Sequence, residues 1–189
     1  DSGGKMIPSE LGEIPEGWSV GKLSDTVDVK YGKDHKKLND GKFPCYGSGG
    51  IMRYVEKALC TNPESVLIPR KGTLSNLIYV REPFWSVDTM FFTTFRKQNF
   101  VKYFFLKMKR IDLAEMNVGS AVPSMTTAVL NDMAMLYPDD QTLRDFEFLT
   151  ESFFLKVEKN TQQIQTLTQL RDTLLPKLVK GEIRIPIKS

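Results

Sequence analysis

Residues 141–180 read QTLRDFEFLTESFFLKVEKNTQQIQTLTQLRDTLLPKLVK. The segment holds no glycine, and its one proline is Pro176. Apolar residues recur at alternating steps of three and four, the period of a helix that presents one seam to a partner. One register puts Phe146, Phe153, Asn160, Leu167 and Leu174 at position d, and Thr150, Val157, Ile164, Arg171 and Leu178 at position a. Thr150, Asn160 and Arg171 are its polar breaks. A helix of about 40 residues runs about 60 Å, longer than a small domain is wide. It therefore either projects to meet partners or folds back on its own domain, and its length favours projection. Asn160 in the seam costs stability and fixes register and pairing state. Leu170 and Leu175 widen the apolar face, as suits a helix with more than one neighbour. Pro176, lacking an N–H, should kink or end the helix, with Gly181 as the later stop.

Upstream the texture is different. Residues 1–17 carry Gly3, Gly4, Pro8, Gly12, Pro15 and Gly17 and read as a linker. Residues 18–140 alternate short apolar runs with turn clusters. Ser65–Pro69, Leu77–Val80, Thr89–Phe95 and Met133–Tyr137 are strand-like, with β-branched or aromatic content and Gly or Pro nearby. Val101–Arg110 is the best helical stretch. The mixture lacks regular strand–helix alternation, so the expected class is α+β: a globular domain over 18–140, a long coiled-coil-type helix over 141–182 and a tail over 183–189.

Composition sets the bounds. The 189 residues suit one domain plus an appendage, and 41% hydrophobic content supports a core. A net charge of +3 permits nucleic-acid binding without arguing for it. Cys45 and Cys60 form no CxxC pair, which disfavours a zinc ribbon and points to a reducing cytoplasm. No run of about 18 apolar residues appears, so no membrane contact is expected. The chain opens Asp-Ser-Gly-Gly, which leaves open that it is a fragment or a processed product.

Catalytic signatures are scarce. His35 is the single histidine, which removes HExxH zincins and leaves a hydrolytic triad one possible base. Walker and GxGxxG loops are absent, as is the Asn/Asp-Pro-Pro-aromatic motif of amino-methyltransferases. Asp28-Val29-Lys30 fits the end of a nuclease-type acid-x-Lys pattern, but no convincing upstream metal-binding Asp accompanies it. Asp25, Asp28, Asp34 and Asp40 do not match a calcium loop and read as solvated turn residues. The expectation is a non-enzyme with no metal and no cofactor.

Binding chemistry is more evident. Three segments combine Gly backbone, small hydroxyls and basic side chains. The first, residues 30–37, offers Lys30, Lys33 and Lys36 for phosphates, with Tyr31 or His35 for base edges. The second is Tyr46-Gly47-Ser48-Gly49-Gly50 with Arg53, where Ser48 and Gly49 allow close backbone approach. The third, Pro69–Asn76, follows a strand with Arg70, Lys71, Thr73, Ser75 and Asn76; Arg or Lys pairs with guanine and Asn with adenine. Taken singly, each also reads as an ordinary polar loop. Gly119–Thr127, with Ser124 and Thr126, either packs near the same surface or caps a helix. Arg96–Arg110 holds six basic residues and no acidic one, either a phosphate-tracking face or a solvated helix face.

In order, these residues resemble the specificity subunit of type I restriction–modification systems. The carrying segments are Ser9-Glu10-Leu11-Gly12-Glu13-Ile14-Pro15-Glu16-Gly17-Trp18, Tyr46–Ile51, Ile68–Thr73, Phe84–Thr89, Leu174-Leu175-Pro176-Lys177-Leu178 and Gly181-Glu182-Ile183. The resemblance spans nearly the whole chain. It implies a target-recognition domain that reads half of a split target in double-stranded DNA. It also implies a spacer helix that packs antiparallel on a second one and docks methyltransferase subunits, and through them a restriction subunit. Methylation and cleavage belong to those partners. One domain–helix unit is present here, so the chain is either a half-subunit that homodimerises on a palindromic target or the C-terminal half of a longer protein. Two alternatives stand beside this reading: a metal-dependent nuclease using Asp28 and Lys30, and a coiled-coil scaffold that reads no DNA.

Overall fold

A computed structural model describes residues 4–62, 64–113, 115 and 124–183. The chain forms two units, Asp1–Glu147 and Phe148–Ser189. Eleven strands and three α-helices are described: β1 (Met6–Ser9), β2 (Gly12–Pro15), β3 (Ser19–Lys22), β4 (Val27–Tyr31), β5 (Asp40–Gly47), β6 (Gly50–Val55), β7 (Ser65–Pro69), β8 (Ile78–Val80), β9 (Trp85–Ser86), β10 (Met90–Phe95), α1 (Val101–Met108), α2 (Thr127–Asn131), β11 (Ala134–Tyr137) and α3 (Asp140–Val179). The expected α+β class with a long C-terminal helix is the class observed.

The centre of the first unit is an antiparallel sheet in the order β4-β10-β7-β8. Side chains alternate across a strand, and here both faces are buried. From β7 and β10, Val66, Ile68 and Phe91 point to one core, while Leu67, Met90 and Phe92 point to the other. The first core is closed by Phe104 and Met108 of α1, Leu130 of α2, and Met135 and Tyr137 of β11. The second is closed by Cys45, Tyr46, Val55 and Trp85, which lie on the sheet β6-β5-β9. Burying such side chains contributes about 1.5–3 kcal/mol each. Two-sided burial is why β7 reads as the unbroken apolar run Val66-Leu67-Ile68 rather than as an alternation. Past the last β7–β10 pair, Phe92↔Leu67, hydroxyls extend the ladder: Thr93 Oγ1 donates to Val66 O at 3.0 Å and Ser65 Oγ to Thr93 O at 2.8 Å. These buried polar groups are thereby satisfied.

Residues 1–17 require a correction. Met6–Ser9 and Gly12–Pro15 pair as a hairpin, so within the described residues this segment is folded rather than a linker. Its prolines tolerate pairing because Pro8↔Glu13 and Met6↔Pro15 alternate with the Ile7↔Ile14 and Ser9↔Gly12 pairs. At such positions N–H groups point away from the partner strand, and a missing donor costs no ladder bond.

α3 begins on a side-chain cap. Asp139 Oδ1 accepts the N–H groups of Gln141 and Thr142, both at 2.9 Å, and Thr142 Oγ1 donates to Asp139 Oδ2 at 2.6 Å. Those donors hold the Asp139 carboxyl below the usual carboxylate range, the Thr142 hydroxyl first. Leu143 is buried in the first core, Lys97 pairs with Asp140 and Lys102 with Glu147. Phe146, expected in the seam, instead packs edge-on against Tyr103 at 6.1 Å between centroids. The first turns of α3 therefore belong to the domain.

Of the two outcomes expected at Pro176, an end to the helix is not the one observed: the helix runs through it to Val179. Proline removes one bond to the carbonyl four residues earlier. That carbonyl belongs to Asp172, which is exposed, so water can take the missing donor's place. Gly181 is the stop as read, at φ 72°. Glu182 N donates to Lys177 O at 2.9 Å and Gly181 N to Leu178 O at 3.0 Å, the paired bonds of a Schellman cap. Of the tail over 183–189, only Ile183 lies among the described residues.

Candidate nucleic-acid interface

Strand direction brings the polar loops together. β4 and β7 both run antiparallel to β10 and flank it. Their C-terminal ends, Tyr31 and Pro69, therefore lie at the same sheet end as the start of β10, Met90. Backbone bonds lock the segments that follow: Gly32 N donates to Met90 O at 3.0 Å, Lys33 N to Ser86 O at 2.8 Å and Arg70 N to Thr89 O at 2.9 Å. Gly32 fits only because it has no Cβ; one built there would stand 2.0 Å from Val87 O. The β5–β6 turn joins through Val87 N to Tyr46 O at 3.0 Å and through the Asn76 amide on Ser48 O. Across the Arg70–Asn76 loop, Met125 N donates to Arg70 O at 2.9 Å, and Lys71 forms a bridge with Ser124. Segments near residues 31 and 71 thus share one end of the central sheet, and those near 48 and 124 are tied to them there.

Aromatic and charged contacts bind this end further. The Arg70 guanidinium lies 5.3 Å from the Tyr31 ring centroid, and Tyr31 Oη is 3.4 Å from Thr127 Oγ1. Asp34 Oδ1 accepts Lys36 N at 3.0 Å. That bond, with nearby Lys36 and His35, keeps its carboxyl below the usual range.

Ion pairing sorts the cations. Lys22, Arg53, Arg81, Arg96, Lys97 and Lys102 are each paired with a carboxylate. Among the ion pairs of the described residues, none uses Lys30, Lys33, Lys36, Arg70 or Lys71. Lys30, Lys33, Lys36 and Lys71 are exposed, Arg70 half-buried. A cluster of uncompensated charge at a loop-built surface attracts a polyanion.

Several residues are engaged in holding the surface together. Arg53 binds Asp40 and, at 3.1 Å, Leu38 O. Its guanidinium supports the β5–β6 hairpin. Asn76 ties two loops together, and Thr126 accepts Val129 N at 3.3 Å as the cap of α2. His35 is half-buried. Thr73, Ser75 and Gly49 are exposed, and Ser48 is half-buried at the turn. Gly119–Pro123 lies outside the described residues. The basic run Arg96–Arg110 is no single face: Arg96 binds Asp28, Lys97 binds Asp140, and Lys102 is fully buried against Glu147. Burying a lysine demands such a partner, and no local pattern names it. The end of the run behaves differently, because Lys109 and Arg110 line an open cleft of about 550 Å³ with Gly72, Thr73 and Ser75.

The acidic residues are dispersed as well. Asp25 accepts Lys22 N at 2.7 Å, Asp28 binds Arg96 and Asp40 binds Arg53. Among the described residues no three His, Cys, Asp or Glu side chains are grouped to hold a metal, and no helix is long and apolar enough to cross a membrane. Asp28, tied to Arg96, gives the nuclease alternative no support.

On α3 past the anchored turns, the seam side chains face water. Phe153 is 68% exposed, Val157, Ile164 and Leu167 are each 64% exposed, and Leu174 is 42% exposed. Asn160 is also exposed and Leu178 half-exposed.

Known proteins are similar to this chain in sequence and fold. The chain is 25% identical over 198 residues to the type I restriction enzyme MjaIX specificity subunit of Methanocaldococcus jannaschii, covering 92% of this chain and 46% of the relative. A putative type I specificity subunit of Mycoplasma genitalium is 23% identical over 182 residues, with the same shares. The chain thus spans about half the length of these relatives. Among solved structures, the S subunit from M. genitalium superposes with a TM-score of 0.72 at 22% identity, over 92% of this chain and 47% of that one. The HsdS subunit from Thermoanaerobacter tengcongensis gives 0.56 at 13% identity, over 93% and 48%. These two show the shared fold. Residues 15–172 match the family model for the type I restriction modification DNA specificity domain. With the sheet-end loops and the long helix, that match leaves one reading: the chain belongs to the type I restriction–modification DNA specificity family.

Proposed function

We propose that this chain reads one half of a split target in double-stranded DNA and directs methyltransferase and restriction subunits to it, without catalysing methylation or cleavage itself. The carrying observation is the convergence of four separate segments on one sheet end, where the cations lack carboxylate partners. Lys30, Lys33 and Lys36 neutralise phosphates. Arg70 and Lys71, with Thr73 and Ser75, address base edges. Ser48, Gly49 and Ser124 flank them, while Arg53, Asn76 and Thr126 hold the loops in shape.

The helix supplies the other half of the function. The seam of Phe153, Val157, Asn160, Ile164, Leu167, Leu174 and Leu178 packs on a second spacer helix, and Phe146 serves the domain end of α3. A second copy of this unit, or a second unit in the same polypeptide, completes a two-helix spacer and sets the distance between half-sites. The complex acts in the cytoplasm, where the chromosomal DNA lies.

Selection from random-sequence duplex DNA, with the methyltransferase partner present, tests this reading. A two-part target with a fixed gap is expected. Binding without any sequence preference would leave a scaffold role instead.

A further inference from the structure

We propose that Lys109 and Arg110, just past the C-terminal end of α1, form with Thr73 and Ser75 a phosphate clamp that grips the DNA backbone beside the reading loops. The clamp rests on the DNA-reading function proposed above. Its basis is the cleft: Gly72, Thr73, Leu74 and Ser75 form one wall, and Lys109, Arg110, Ile111 and Asp112 the other. The lining carries one carboxylate, that of the exposed Asp112. Lys109, Arg110, Thr73 and Ser75 are exposed.

Ion pairing separates these two cations from their neighbours in sequence. Arg96, Lys97 and Lys102 neutralise carboxylates of their own domain. Lys109 and Arg110 take part in none of the ion pairs among the described residues. The Lys109 ammonium rests 5.6 Å from the Phe105 ring centroid, a contact that uses no carboxylate. A guanidinium fork, an ammonium and two hydroxyls around one opening match the tetrahedral oxygens of a phosphodiester. The loop carrying Thr73 and Ser75 also carries Arg70 and Lys71. A backbone held in the cleft would therefore fix the register in which those side chains meet the bases.

Cations at a helix C-terminus also favour the helix dipole, so the test must separate helix stability from DNA contact. The full chain binds a mixed-sequence duplex across a salt series, alongside the Lys109→Gln/Arg110→Gln variant. Each phosphate contact steepens the log–log salt dependence by about 0.9. The double variant should lower that slope by about 1.8 and, at about 0.1 M salt, weaken binding roughly sixtyfold, by the same factor on preferred and scrambled duplexes. Arg110→Lys should keep the slope, and Arg110→Gln alone should lose about half of the effect. Arg70→Ala should instead change the ratio between preferred and scrambled duplexes. An unchanged slope, or a loss confined to the preferred sequence, overturns the clamp while leaving the reading function standing. No salt-dependent DNA binding by the wild-type chain, even with the methyltransferase partner present, overturns both.

Discussion

Replacing Gly32 by alanine strikes the joint on which the loop cluster depends. A Cβ at residue 32 would lie 2.0 Å from Val87 O and 2.6 Å from both Ser86 O and Val87 C. These are backbone atoms, so no rotamer change relieves the clash. Ordinary contact begins at about 3.4 Å, so the two segments must part by about 1.4 Å. Two bonds cross that joint, Gly32 N to Met90 O at 3.0 Å and Lys33 N to Ser86 O at 2.8 Å. Lengthened by that amount, both leave hydrogen-bonding range. Losing them costs about 1–3 kcal/mol together, and overpacking adds about 1–3 kcal/mol, so Gly32→Ala should destabilise by about 2–6 kcal/mol. Trp85 is a reporter at the joint, buried and donating from Nε1 to Lys33 O at 2.9 Å. Urea unfolding followed by tryptophan emission should show a midpoint lower by about 1–3 M, for a slope near 2 kcal/mol/M. DNA binding should fall even where the variant is still folded. A midpoint within about 0.25 M of wild type would refute the packing of Gly32 on the Ser86–Val87 backbone.

Other perturbations address other parts. Gly49 has nothing within 4 Å of a built Cβ and no left-handed φ, so Gly49→Ala should change stability by no more than about 1 kcal/mol, in the stabilising direction. Weakened DNA binding by this stable variant would mark residue 49 as a point of close backbone approach, and unchanged binding would remove it from the interface. Ile164→Asp replaces a 64%-exposed seam residue. In a paired helix it should cost about 1.5–3 kcal/mol per copy, or roughly 10²–10⁴ in the association constant of a dimer. Sedimentation showing unchanged assembly would exclude the seam as the interface. The Asp139 carboxyl titrates below its ordinary value because the Thr142 hydroxyl and the cap N–H groups bind its ionised form. Its stabilising effect is therefore present above the unfolded-state value and is lost as pH falls through the folded one. The stability gap between wild type and Asp139→Ala, read by circular dichroism at successive pH values, should narrow on acidification; a gap that widens contradicts the cap.

Local signals in the sequence determined the elements that depend on local physics. The three-and-four spacing from Phe146 to Leu178 specifies a long helix, because every side chain within a turn or two reports the same period. Gly181 specifies its end, because a left-handed residue there costs glycine little. Val66-Leu67-Ile68 and the β10 aromatics mark strands, because β-branched and aromatic chains suit a sheet buried on both sides. The residues carrying the family resemblance, too, are legible before any coordinate.

Tertiary structure alone decided which polar residues meet. The Gly and Pro of residues 1–17 spell a linker, yet the hairpin depends on which N–H groups face the partner strand, a matter of register. Lys102 belongs to a basic run in sequence and is buried because Glu147, far along the chain, reaches it. Phe146 fits the heptad and still packs on Tyr103. Lys109 and Arg110 look like the rest of their run until three of its other members find carboxylates. Periodicity reports neighbours along the chain, whereas the interface joins residues near 31 and 71 through antiparallel pairing on β10, and those near 48 and 124 through bonds to the adjoining loops. That pairing is a long-range choice, settled when both faces of the sheet are buried at once.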